Sequence, residues 1–208
     1  MSDSSDPGAG KDRAFVNGLA RGLRVLASFS PEHNRMSLGD LAKATGLPKS
    51  TIARLVHTLV ETGYIYVCPD SGRYSLHPKV LTLGYPVMAS MDKRLVALPM
   101  MQELADYSRG TVSLGIRDGL SMILIERSRD RTVRALPLDI GSRIPMETTS
   151  MGHAYFAAAG TAEQAAILEQ FKTHDPSRFK DVERTLRAAE KEYADKGYCT
   201  AVGIWEDD

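Results

Sequence analysis

Residues 36–76, MSLGDLAKATGLPKSTIARLVHTLVETGYIYVCPDSGRYSL, decide the fold. Ser37 followed three residues later by Asp40 is a near capping box, and Met36 with Leu41 stands where a hydrophobic staple would sit. Leu38, Leu41, Ala42 and Thr45 fall on one helical face. Gly46 ends that helix, because glycine alone turns left-handed at little cost. Pro48 suits the first turn of the next helix, where a missing N–H is no loss. Ile52, Leu55, Val56, Leu59 and Val60 then repeat at the spacing of a helix packed on a core. Two short helices about a tight turn imply a helix-turn-helix.

The opposite face of the second helix carries Ser50, Arg54, His57 and Glu61, flanked by Lys49 and Thr58. Cationic side chains neutralise phosphates or read guanine, and hydroxyls contact phosphates or bases. A polar back face belongs to any amphipathic helix, so DNA binding is argued from the helix together with the hairpin next in the chain. Tyr64 to Cys68 is rich in strand formers, Pro69-Asp70-Ser71-Gly72 is turn chemistry, and Tyr74 to Leu76 returns. That hairpin is a wing. Arg73 beside its tip either reaches a phosphate or the minor groove, or stays in solvent. The candidate DNA-binding set is Ser37, Lys49, Ser50, Thr51, Arg54, His57 and Arg73, with Ser50, Thr51, Arg54 and His57 in the major groove.

Charge agrees mildly. The 208 residues hold 26 basic and 26 acidic side chains, so the chain is no general polycation. Residues 1–78 carry nine Lys and Arg against seven Asp and Glu, and the stretch from Lys43 to Val60 has three bases and no acid. Cys68 and Cys199 make no disulfide framework and suit packing in a reducing compartment. No apolar run approaches the roughly 20 residues that span a bilayer. The start, MSDSSDPGAGKDR, lacks an apolar signal core and reads as a disordered tail, so a cytoplasmic protein is expected.

Beyond the wing, Val80, Leu83, Gly84, Val87, Met88 and Met91 recur at helical spacing from Pro78. A second helix is predicted from Arg94 to Tyr107, its apolar stripe Leu95, Leu98, Met101, Leu104 and Ala105. The stripe packs either on its own domain or on a second subunit. The latter places two recognition helices about 34 Å apart, as a palindrome requires. The remainder reads as mixed α and β: strands over 112–116, 120–125 and 132–138, with turns at Asp118-Gly119 and Asp139-Ile140-Gly141. A short helix over 151–159 comes next, then one capped by Thr161 and Gln164. A longer helix from Asp181 to Lys196 is closed by Gly197, and a strand from Tyr198 to Trp205 ends the chain. The fold class is therefore α+β.

NGLARGLRVLASFS, SLGDLAKATGLPKSTIARLVHTLVETGYI and SGRYSLHPKVLTLG together resemble the DNA-binding half of the IclR-type transcriptional regulators. TVSLGIRDG, ILIERSRD, GSRIPMETTSMGHAYFAA and DKGYCTAVGIWEDD are similar, in order and spacing, to the effector-binding half. The resemblance covers residues 14–208. With residues 1–13 read as a disordered tail, it implies a winged helix-turn-helix over 14–77, a linker helix over 78–92 and an effector domain of GAF or profilin type over 93–208. It also implies a homodimer or pair of dimers on palindromic double-stranded DNA, with a small-molecule effector; the sequence itself gives no sign of a cofactor, a metal or a membrane span.

By the same resemblance the effector meets Thr148, Thr149, Ser150, Met151 and Gly152; Arg143, in the turn before them, either pairs with an anion or is structural or exposed. A helix start with free amides and hydroxyls suits a carboxylate, in line with the small organic and aromatic acids that relatives sense. The bland alternative is an ordinary capped helix. Three departures stand out. His153 replaces the usual lysine. Cys199 to Val202 replaces acidic residues, which points to a more apolar or aromatic ligand. And the sequence stops at Asp208, where the family continues through further strands and a last helix; either it is truncated or the protein is short, and if the chain ends there weakened effector binding and an exposed sheet edge are expected.

Catalysis finds no footing in the sequence. There is no nucleophile elbow, no HExxH or CxxC spacing and no phosphate-binding glycine loop. His153 reads as a packed histidine. A winged helix used for protein contacts is the remaining alternative, against which the acid-free run stands.

Overall fold

The computed structural model describes residues 14–132 and 138–203, apart from the side chain of Lys93. The chain forms two compact units that part between Val87 and Met88. Each is described by itself.

In the first unit, α1 (Asn17–Leu26), α2 (Leu38–Thr45) and α3 (Lys49–Glu61) precede a hairpin of β1 (Ile65–Val67) and β2 (Tyr74–Leu76). The core is Val25, Met36, Leu41, Ile52, Val56 and Ile65, with the rest of the α3 stripe, Leu55, Leu59 and Val60, packed around it. The predicted capping box is complete: Asp40 N–H donates to Ser37 Oγ at 3.2 Å, and Ser37 N–H to Asp40 Oδ2 at 2.9 Å. Gly46 closes α2 at φ +69°, where a side chain would be strained. Pro48 differs by one position from expectation. It is the residue before α3, at φ −56° and ψ 140°, and its carbonyl accepts from the Thr51 and Ile52 amides. Proline's fixed φ serves that extended entry as well as it serves a first turn.

The hairpin is antiparallel, with Ile65 opposite Leu76 and Val67 opposite Tyr74. Met36 adds a one-residue bridge, exchanging both backbone hydrogen bonds with Tyr74 at 2.9 and 2.8 Å. The wing is thereby pinned to the entry of α2. A single 3-10 turn, Pro78–Val80, then leads into α4 (Leu81–Ala89), which contains Pro86. The linker is not one helix over 78–92.

The second unit opens with α5 (Asp92–Ser108), two residues earlier than predicted. β3 (Thr111–Asp118), β4 (Ser121–Arg129) and β5 (Arg143–Pro145) form an antiparallel sheet in the order β3-β4-β5, with a bulge between Leu114 and Gly115. Arg94 NH1 donates to Glu126 Oε2 at 2.6 Å and ties α5 to β4. Of the predicted α5 stripe, Met101 and Ala105 are buried, whereas Leu95, Leu98 and Leu104 are exposed. Met101 and Ala105 are the part of the stripe that packs, joined by half-buried Ala97 one turn earlier, because small residues let the helix approach the sheet.

α6 (Ser150–Ala158), α7 (Thr161–His174) and α8 (Phe179–Lys196) complete the described elements. Met122, Leu124, Ile144, Met146, Phe156, Ile167, Leu168, Phe171, Val182 and Leu186 form the core between them and the sheet. The Thr161–Gln164 cap does not form. Gly160 precedes α7, and Gln164 is buried, donating to the Phe156 carbonyl and to Glu190. Gly197 closes α8 at φ +78° as expected. Tyr198 to Gly203 is not a strand. Its backbone pairs with no strand among the described residues and is held back on α8, where Thr200 N–H and Oγ1–H donate to Glu192. Residues 133–137 and 204–208, the bulk of one predicted strand and the end of another, lie outside the described residues.

Candidate nucleic-acid interface and effector region

α3 buries Ile52 and Val56 and thereby turns Lys49, Ser50, Arg54, His57 and Thr58 to solvent, with Thr51 half-buried. No side chain caps its first turn. Arg21, on α1, joins Thr51, Arg54, His57 and Thr58 around a cleft of about 400 Å³. The basic face of α3 is thus extended by a residue from a different helix, which helix periodicity within α3 cannot reveal. An exposed arginine on α1 was the only available signal.

Two candidates are already engaged within the fold. Ser37 Oγ–H donates to Asp40 Oδ2 at 2.8 Å and its oxygen accepts from the Asp40 amide, so the hydroxyl serves the helix cap. Arg73 is exposed but paired. Its NH1 donates to Asp40 Oδ2 at 3.1 Å and to the Arg35 carbonyl at 3.2 Å. A guanidinium beside a loaded carboxylate finds its counter-ion inside the domain.

In the second unit, Thr149 caps α6, accepting from Gly152 N–H, and donates to the Pro145 carbonyl at 2.6 Å. It is buried. Met151 packs over Gly115, where a Cβ would meet its sulfur at 2.3 Å. Gly152 lies against the backbone of Met146. Arg143 is exposed and paired with Asp118 of the neighbouring hairpin. Thr148 is half-buried and Ser150 exposed. A cavity of about 270 Å³ opens beside this segment, but its lining takes Pro145 and Glu147 and none of the six candidates. His153 is buried, and its Nε2 lies 2.9 Å from the Glu147 carbonyl, to which it must donate since a carbonyl only accepts. It is a core histidine. Among the described residues no three His, Cys, Asp or Glu side chains group as metal ligands would.

Comparison with known proteins settles what these two units are. The IclR helix-turn-helix domain matches residues 18–67, and the bacterial transcriptional regulator IclR C-terminal domain matches residues 86–202. The chain belongs to the IclR family. It is 31% identical over 186 residues to the HTH-type transcriptional regulator TsaQ1/TsaQ2 of Comamonas testosteroni, a match covering 88% of this chain and 66% of that relative. It is 31% identical over 205 residues to the regulator XynR of Escherichia coli, covering 92% of this chain and 81% of the relative. The crystal structure of an IclR family regulator from Brucella abortus superposes with a TM-score of 0.81 at 37% identity, over 97% of this chain and 76% of that one. Such IclR relatives are transcriptional regulators rather than enzymes, and the chain carries the family's helix-turn-helix and effector-binding domains. No helix of the described residues is long and apolar enough to cross a membrane.

Proposed function

We propose that the chain is a homodimeric operator-binding regulator whose DNA affinity is set by a small organic acid. The observation that carries the DNA half is the exposed, basic face of α3, joined by Arg21 and mounted on a capped helix-turn-helix with a wing. Ser50, Thr51, Arg54 and His57 enter the major groove, while Lys49 and Arg21 hold phosphates. We take the DNA-binding head as residues 14–77, the linker as 78–92 and the effector domain as 93–208.

The dimer is supported by apolar side chains with no cover in the first unit. Phe15, Leu19 and Leu23 line α1 and its entry, and Leu81, Leu83 and Tyr85 line α4; Leu19 is 64% and Tyr85 72% exposed. Exposed apolar side chains gathered along a helix in this way suit a protein interface. A two-fold dimer presents two copies of α3 to a palindrome. In such a regulator the two free thiols, Cys68 and Cys199, suit a cytoplasmic setting.

The effector acid meets the start of α6. There the Thr148 and Ser150 hydroxyls make no hydrogen bond among the described residues, while Met151 adds apolar surface. Thr149 and Gly152 shape the turn, and Arg143 is spent on Asp118. The uncharged run Cys199 to Val202 favours an apolar or aromatic acid. A crystallised IclR homolog from Microbacterium hydrocarbonoxydans holds 4-hydroxybenzoate; at 23% identity it shares the fold, and its ligand serves as the first probe of the class. Effector binding shifts the placement of the DNA-binding heads by linkage.

Fluorescence anisotropy on duplex from around the chain's own promoter, with random duplex as competitor, tests the reading. Specific binding that survives competitor and weakens with salt is expected. Binding displaced equally by random duplex would favour a winged helix that serves protein contacts. Sedimentation of Leu19→Asp beside the unmutated chain tests the dimer, and a monomer is expected only for the variant.

A further inference from the structure

Arg35 stands where the entry of α2 meets the wing, next to the Met36–Tyr74 bridge. Its NH1 donates to Asp70 Oδ2 in the wing turn at 2.7 Å. Its carbonyl accepts from Arg73 at 3.2 Å, and Arg73 in turn donates to Asp40 at the start of α2 at 3.1 Å. Two guanidinium–carboxylate pairs, Arg35 with Asp70 and Arg73 with Asp40, are therefore joined through the Arg35 carbonyl between the wing turn and the first turn of α2. They differ in how firmly they are held. Arg73 has two acceptors, one of them a carboxylate fixed by the capping box, whereas Arg35 has the one contact to Asp70, and both members of that pair are more than half exposed at 52% and 64%. An exposed single-contact pair is readily exchanged.

The position of this pair matters. In helix-turn-helix docking the first helix of the motif crosses the DNA backbone while the second lies in the groove. The start of α2 and the wing turn beside it are then phosphate-facing. A phosphate offers a guanidinium two parallel acceptors and a full negative charge, a better partner than one exposed carboxylate oxygen. Hydrogen bonding from Arg35 holds the Asp70 carboxyl below the usual carboxylate range, so the acid is ionised and competing at neutral pH.

We propose that Arg35 is a DNA-backbone contact and that Asp70 is its internal competitor, holding the guanidinium in the free protein and yielding it to phosphate on binding. The proposal rests on the DNA-binding function proposed for this chain. Asp70 then offsets one positive charge of the interface for every sequence alike. It lowers nonspecific affinity and leaves base reading by α3 untouched, because backbone contacts carry no sequence information.

The test is anisotropy with the full chain on random duplex and on duplex from its own promoter region, across about 50–200 mM salt. Arg35→Gln should lower the magnitude of the salt slope by about one, and Arg35→Lys should restore it. Asp70→Asn should tighten both duplexes by the same few-fold factor, on the scale of an exposed ion pair. Placed in the Arg35→Gln background, Asp70→Asn should change nothing. An unchanged slope in Arg35→Gln, or an equal effect of Asp70→Asn in both backgrounds, overturns the proposal while the regulator reading stands. If the unmutated chain binds neither duplex, the DNA-binding reading falls and takes this one with it.

Discussion

A Cβ added to Gly152 would stand 2.3 Å from the carbonyl oxygen of Met146 and 2.4 Å from its Cα. Backbone cannot swing aside as the end of a side chain can, so the first turn of α6 approaches the loop ahead of it only because residue 152 has no side chain. Both residues are buried, and Met146 belongs to the core shared by the sheet and α6–α8.

Gly152→Ala should therefore cost the second unit about 3 kcal/mol, the upper range of overpacking. Thermal denaturation followed by circular dichroism should show the lower transition. A melting temperature within a degree of the unmutated chain would mean the loop relaxes freely.

Ser37→Ala removes the acceptor for the Asp40 amide and the donor to Asp40 Oδ2. Losing a serine cap costs typically about 1 kcal/mol. The urea midpoint of the first unit should fall accordingly, with the slope unchanged. An unaltered midpoint would show that the α2 cap contributes nothing.

Acid should act on α8 through Glu192. Hydrogen bonds from the Thr200 amide, then from Lys196 and the Thr200 hydroxyl, lower its carboxyl from 4.5 to about 2. A carboxylate whose folded value is depressed adds stability above its unfolded value, and that contribution is lost as pH falls through the folded value. The melting-temperature gap between the unmutated chain and Glu192→Gln should thus be full at pH 6 and close progressively between pH 4.5 and 2. A gap that stays constant to pH 2 would deny the contact.

Arg54→Ala should weaken operator binding by about 1–3 kcal/mol and relax specificity at one base pair if the guanidinium reads a guanine. Competition against operators substituted one position at a time measures this. Equal weakening on operator and random duplex would reassign Arg54 to the backbone.

The first unit is largely legible in the sequence. Ser37 with Asp40, Gly46, the α3 stripe and the Pro69–Gly72 turn each act within a few residues of themselves, and each forms as expected. The second unit is less legible. The apolar residues of α5 are spread around the helix, so periodicity selects Leu95, Leu98 and Leu104 along with Met101 and Ala105, of which only the last two are buried. A strand over 198–205 rests on composition alone, and strands need a partner that composition does not supply.

What sequence alone determined is the pair of domains, the helix-turn-helix with its wing, and the solvent face of α3, because capping, turn chemistry and helical period are local. Only tertiary structure decided that Arg73 answers to Asp40 and Arg35 to Asp70, that Arg21 flanks α3, and that Gly152 must be glycine. Those relationships join residues brought together by packing, and a guanidinium's partner is set by which carboxylate the folded backbone leaves within its reach.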